Sequence, residues 1–153
     1  MNNNDILRRI RYTFDFTDRK MVEIFDHAGY EVSPELIINW LKKDDDPDFE
    51  SLHDLKLAVF LNGLIVEKRG KKDGEPPKPE KTLTNNLILR KLKIALNLID
   101  DDIIAMLKLA EVDISKHELS AFFRKPEQHQ YRLCKDQFLR NFLHGMQLKY
   151  RIG

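Results

Sequence analysis

The chain repeats itself at a spacing of 82 residues, and this internal repeat constrains the fold more than any other feature. Aligned without a gap, residues 3–70 and 85–152 give 15 identities in 68 pairs, and many other pairs are conservative. A unit of about 68 residues lies near the lower limit for a self-sufficient hydrophobic core. The architecture can therefore be derived from one unit, and we expect the two units to pack against each other.

Each unit shows the sequence pattern of four amphipathic helices. Apolar residues recur at helical spacing in four segments, and each segment is preceded by a residue type that favours a helix start. Ser33 is followed by a proline at the first helical position, and Ser115 is followed by Glu118 in a capping box. The predicted starts are Asn3 or Asn4, Thr17–Asp18, Ser33 and about Ser51 in the first unit, and Asn85 or Asn86, Asp100, Ser115 and about Leu133 in the second.

The fourth helix of each unit contains an internal glycine, Gly63 or Gly145. Glycine within a helix costs roughly 1 kcal/mol relative to alanine, so its presence at both equivalent positions indicates close approach of another helix. The first of these helices also carries an apolar excess that its counterpart lacks. We therefore predict an interface with the other unit or with another subunit, formed by Val59, Gly63, Ile65 and Val66.

These patterns predict an all-α protein, a tandem duplication of a four-helix unit with approximate internal two-fold symmetry. Residues 1–69 form the first repeat and residues 84–153 form the second. Residues 70–83 contain prolines and charged side chains that exclude a core role, so they are predicted to form a flexible linker of extended character. The sequence contains no alternating strand pattern with turn signals.

Composition and charge limit the classes of function that this protein can have. No segment approaches the roughly 20 apolar residues of a membrane span, and the N-terminus lacks the blocks of a signal peptide, so we expect a cytoplasmic protein with no membrane partner. The net charge is +1, but residues 1–68 hold 9 Lys and Arg against 14 Asp and Glu, whereas residues 84–153 hold 12 against 8. The basic second half therefore suits an anionic partner, and it also suits the acidic first half.

The sequence predicts no enzyme, metal or cofactor site. It contains no nucleotide-binding glycine loop, zinc-protease helix or paired cysteines, and no histidine recurs at equivalent places in the two units. Cys134 is the sole cysteine, and a nucleophilic role would require the fold to bring a base such as His129 or His144 beside it. We therefore expect no catalytic residue, no metal ligand and no cofactor.

Several motifs resemble a known family. The openings Asn-Asn-x-Ile-Leu-Arg occur in both units, and Phe-Leu-Asn-Gly-Leu at 60–64, Leu-Arg-Asn-Phe-Leu at 139–143 and Ser-Lys-His-Glu-Leu-Ser at 115–120 add to them. Together these motifs are similar to those of the YehS-like proteins, a bacterial family of unknown function. The resemblance covers nearly the whole chain and implies two copies of a helical domain, with no activity or catalytic residues to carry over.

Two interpretations of the basic residues stay open. The second and third helices of each unit resemble a helix-turn-helix, which would make the second repeat a DNA- or RNA-binding element, or they are simply packed bundle helices. The arginines and lysines of the first helices, residues 8, 9 and 11 and residues 90, 91 and 93, are either a shared anion contact or solvated charges.

The functional prediction is a non-catalytic binding or adaptor module that recognises a protein or anionic partner, or associates with itself. The alternative is a nucleic-acid-binding regulator that uses the helix-turn-helix-like element of the second repeat. The predicted partner-binding residues are Lys116, His117, Arg124, Lys125, Tyr131, Arg132 and Arg140.

Overall fold

The computed structural model describes residues 1–151, and within that range the chain forms eight helices and no strand. The predicted all-α tandem repeat is confirmed, with four helices in each unit. The helices are α1 (Asn3–Phe14), α2 (Asp18–His27), α3 (Pro34–Leu41), α4 (Asp54–Arg69), α5 (Asn85–Ala95), α6 (Asp100–Leu109), α7 (Lys116–Ala121) and α8 (Asp136–Tyr150).

The helix starts follow the sequence except in the first and fourth helix of each unit. Thr17, Ser33 and Ser115 cap α2, α3 and α7 through their side chains, as predicted. The N-caps of α1 and α5 are Asn2 and Thr84, so the predicted caps at the Asn-Asn pairs were wrong by one or two residues. Helices α4 and α8 each begin three residues later than predicted, because the preceding segments are extended and bond to other helices.

Within each unit the fourth helix packs closely against the second: α4 against α2, and α8 against α6. The internal glycines make this contact possible. A Cβ atom added at Gly63 would clash with the backbone carbonyl of Ile24, and one added at Gly145 would clash with that of Met106. The paired glycines therefore mark the close helix approach that the sequence predicts. The approaching helix belongs to the same unit, so the prediction that Gly63 contacts the other unit or another subunit was wrong.

The two units are joined by reciprocal packing of their first and fourth helices. Helix α4 packs against α5, and by the same internal symmetry α8 packs against α1. Because α4 contacts α2 on one side and α5 on another, its residues 57–64 are all buried, Val59 included, while Ile65 and Val66 are partly buried. The buried apolar side chains of both units form one continuous core.

The arginine at the C-terminal end of each fourth helix, the last residue of α4 and the residue directly after α8, reinforces this junction. Arg69 at the end of α4 donates to the carbonyl oxygen of Ile94 at 3.0 Å and to Oδ1 of Asn97 at 3.1 Å. Arg151 donates to the carbonyl oxygen of Tyr12 and lies 3.8 Å from the Asp15 carboxylate. Each arginine therefore holds the C-terminal end of the first helix in the opposite unit, which explains why this residue is identical in both repeats.

The linker lies against the α4–α5 side of the molecule. Its last residue, Leu83, donates its backbone N–H to the Asp54 carboxylate at 2.8 Å, and the Glu80 carboxylate lies 3.1 Å from the Lys91 ammonium. The rest of residues 70–83 is largely solvent-exposed. The linker is therefore held by specific contacts at its C-terminal end.

Candidate functional site

Several residues identical in both repeats hold the fold together, beginning with a buried asparagine in each first helix. The Asn4 side chain donates to the carbonyl oxygens of Trp40 at 2.9 Å and Glu50 at 2.8 Å, and it accepts the backbone N–H of Leu52 at 3.0 Å. It is only 2% exposed. One amide thus binds the end of α3 and the extended segment before α4 to α1.

The second unit repeats this arrangement atom for atom. Asn86 donates to the carbonyl oxygens of Phe122 at 3.0 Å and Arg132 at 2.8 Å, and accepts the N–H of Cys134 at 2.8 Å. We call Asn4 and Asn86 with these bonds the asparagine clamps. The neighbouring asparagines and the arginines four residues after the clamps also bond to backbone or carboxylate groups of their own unit.

Because the contacts of these identical residues lie within the fold, we seek function where the two units differ. The clearest difference lies in the two grooves formed at the unit junction, one between α1 and α8 and one between α4 and α5. We call the first the open groove, since none of residues 70–83 lines it. It encloses about 500 Å³ and is lined by Met1, Asp5, Arg8, Arg9, Tyr12, Arg140 and Leu143.

Two of the three arginines in the open groove carry charge that no carboxylate in the described chain neutralises. Arg8 is occupied, since it donates to the carbonyl of Lys42 at 2.7 Å and pairs with Asp5. Arg9 is half-buried, and its Nη1 atom is buried with no hydrogen-bond partner among residues 1–151. Arg140 is exposed and donates to the neutral side chain of Gln137 at 3.1 Å.

In the opposite groove, which we call the covered groove, the residue equivalent to Arg9 has a carboxylate neighbour. The covered groove encloses about 440 Å³ between α4 and α5, and linker residues form part of its wall. Lys91 occupies the position equivalent to Arg9, and its side chain is 11% exposed. Its ammonium donates to Oδ1 of Asn62 at 2.6 Å and lies 3.1 Å from the Glu80 carboxylate. The linker thus supplies an anion to the covered groove.

The structure separates the seven predicted partner-binding residues. Arg140 lies in the open groove, whereas Arg132 lines a separate cleft with Glu118 and Leu133 on another part of the second unit. Of the remaining five, Lys116, His117 and Lys125 are exposed, and Arg124 and Tyr131 are partly buried. The sequence pattern did not predict that Arg9 and Arg140 line the same groove. The one available signal for a site at Arg9 was the recurrence of a basic residue at the equivalent positions 9 and 91.

The helix-turn-helix-like element has a short second helix with acidic neighbours. Helix α7 packs on α6 but is only 6 residues long. Lys116 in its first turn lies 3.7 Å from the Asp101 carboxylate. The pKa of Glu118 is lowered, chiefly by the hydrogen bond that its carboxylate accepts from the backbone N–H of Ser115, so this carboxylate is charged at neutral pH. These negative charges oppose phosphate binding at this surface.

The sole thiol is buried, and its ionisation to the thiolate is suppressed. Burial raises the pKa of Cys134 to about 12, with a further contribution from the Asp136 carboxylate. We predict that the native protein reacts with dithionitrobenzoate at pH 8 at least about 100-fold more slowly than the urea-unfolded protein, because the thiolate is the reactive species. Absorbance of the released thiol measures both rates, and equal rates would contradict the burial of this side chain.

Residues 1–151 contain no group of three or more histidine, cysteine or acidic side chains arranged to hold a metal ion. None of the helices in the described part of the chain is both long and apolar enough to cross a membrane.

The fold and the grooves define an all-helical, internally duplicated protein whose two units share one core and leave a basic groove at their junction. The chain belongs to the family described as protein of unknown function (DUF1456), whose model matches residues 3–70 and again residues 85–151. It is 40% identical over 153 residues to the uncharacterized protein YehS of Escherichia coli (strain K12), covering 99% of this chain and 98% of that protein. No solved structure gives a significant match.

Proposed function

We propose that the protein is a non-catalytic binding module that holds an anionic partner in the open groove. The observation that carries the proposal is that Arg9 and Arg140 line one groove and that neither guanidinium pairs with a carboxylate among the described residues. The equivalent Lys91 has both an anion and a neutral acceptor. The cytoplasmic location remains a prediction from the sequence.

The energetics favour a bound anion at this site. A buried charged donor without an acceptor costs roughly 1–3 kcal/mol or more. An incoming carboxylate or phosphate oxygen would pair with the Arg9 guanidinium through a charge-assisted hydrogen bond, about twice as strong as a neutral one. The exposed guanidinium of Arg140 would add attraction over a longer range, which raises the association rate.

We test this function by fluorescence anisotropy with two labelled anionic probes, polyglutamate and a short DNA duplex, at low and high salt. The double variant Arg9→Gln/Arg140→Gln is expected to weaken binding of the preferred probe at least about tenfold, because it removes both unneutralised groove charges. The matched control Arg124→Gln/Lys125→Gln removes two charges from the helix-turn-helix-like surface and is expected to leave affinity within about twofold.

The opposite outcome supports the alternative function. If the Arg124/Lys125 variant loses DNA binding and the groove variant does not, the second repeat acts through its helix-turn-helix-like element, with Lys116, His117 and Arg132 as further contacts. If neither probe binds at low salt, the anion-binding function is wrong. A dimer that polar substitution at Ile65 or Val66 dissociates would instead support self-association.

A further inference from the structure

We propose that the ligand of the open groove is an extended, acidic, proline-containing segment of a partner protein, which docks as the linker docks in the covered groove. This inference rests on the proposed function and specifies its ligand. It follows from a comparison of two related grooves in one molecule, of which one is lined by a peptide segment and the other is not.

The covered groove provides the template. Residues 74–77, Gly-Glu-Pro-Pro, and Glu80 line it together with α4 and α5. Three prolines in the linker favour the extended backbone that a groove between two helices accommodates. An ion pair between the Glu80 carboxylate and the Lys91 ammonium attaches the linker to α5. A short extended segment with one well-placed carboxylate is therefore a ligand that this kind of groove accepts.

The first helix contributes equivalent residues to both grooves, so the covered groove serves as a template for the open groove. The four α1 residues that line the open groove, at positions 5, 8, 9 and 12, are equivalent to the four α5 residues that line the covered groove, at positions 87, 90, 91 and 94. Arg9 therefore occupies the place of Lys91. No residue of the described chain supplies the carboxylate that Glu80 supplies on the other side.

The differences between the grooves indicate a more acidic ligand than the linker. Arg140 of α8 lines the open groove, whereas the α4 residues that line the covered groove, Asn62, Ile65 and Val66, are uncharged, so the open groove has an additional positive charge on its fourth-helix wall. Tyr12 replaces Ile94 and is half exposed, with the Arg151 guanidinium 3.8 Å from its ring centre. Asp5 replaces Leu87, but its charge is neutralised by Arg8. The ligand segment thus needs at least one carboxylate at Arg9 and a second toward Arg140.

The probe for this inference is a peptide with the sequence of residues 74–81 in which Lys78→Gln and Lys81→Gln remove the positive charges. Amide chemical shifts of the labelled full-length protein are expected to change on α1 and α8 during titration and to stay constant on α6 and α7. Either Arg9→Gln in the protein or Glu80→Gln in the peptide should weaken binding at least about tenfold. Combined, they should weaken it no further than the stronger single change, as expected for two directly paired groups.

Two results of the peptide titration would overturn the inference. One is the absence of shift changes in α1 and α8 at millimolar peptide. The other is additive losses of affinity from the Arg9 and Glu80 changes, which would show that the two groups do not pair directly. If DNA or polyglutamate still binds in an Arg9-dependent manner, the proposed function survives and only the ligand class is wrong. Concentration-dependent dimerisation that Arg9→Gln abolishes would assign the groove to the linker of a second copy, which also overturns the partner-protein ligand.

Discussion

Residues 1–70 and residues 84–153, produced as separate fragments, are each expected to lack a cooperative urea transition as monomers. The reason is the reciprocal packing of the units: α1 lies mainly against α8, and α4 lies against α5, so each fragment would expose the apolar faces of its first and fourth helices. The buried side chains form a single core that crosses the junction. A chain of about 70 residues that loses such an interface retains too little buried surface to offset its conformational entropy.

Mixing the two fragments provides the decisive measurement. An equimolar mixture is expected to regain helical circular dichroism and a cooperative transition, because the junction needs no covalent connection between α4 and α5. Sedimentation should show a one-to-one complex. A monomeric fragment that is helical and unfolds sharply by itself would contradict the shared core and would make the protein two independent domains joined by a linker.

The second large effect is expected at the asparagine clamps. Asn4→Ala should lower the free energy of unfolding by about 3–5 kcal/mol, because three hydrogen bonds are lost and three backbone groups are left without the partner they have in the native protein. Asn86→Ala should have an effect of similar size for the same reason. Urea denaturation followed by circular dichroism measures both variants.

Asn141→Ala is the matched control for these variants. Asn141 also lies in a helix, but its side chain accepts a hydrogen bond only from the exposed side chain of Gln137 in the structure described, at 3.0 Å. Its replacement is expected to change stability by no more than about 0.5 kcal/mol. If the clamp variants lose as little as this control, the asparagine bonds contribute nothing net to stability and the identity of these residues needs another explanation.

The clamps also show where inference from sequence reached its limit. The Asn-Asn pairs were interpreted as helix caps because asparagine favours that position and a helix follows at once. The actual partners of Asn4 lie 36 to 48 residues further along the chain. Local propensity contains no information about such partners, so the pattern identified an important residue and assigned it the wrong contact.

The open groove escaped prediction for a related reason. Charge was counted along the sequence, which made the first half acidic and the second half basic. Arg9 belongs to the acidic half and Arg140 to the basic half, and only the packing of α1 on α8 places them in one groove. Counting charge by halves therefore led to residues of the second unit alone, Arg140 among them, and missed a site composed of both halves.

The sequence by itself determined the duplication, the eight helices, three of their side-chain caps and the close approach at Gly63 and Gly145. Each of these depends on periodicity, on residues a few positions apart, or on comparison of the two repeats. Only the tertiary structure decided that the first and fourth helices pair across the units and that the linker lies over one groove and not the other. Those choices depend on complementary surfaces and on charged groups distant in the chain, and no local pattern encodes them.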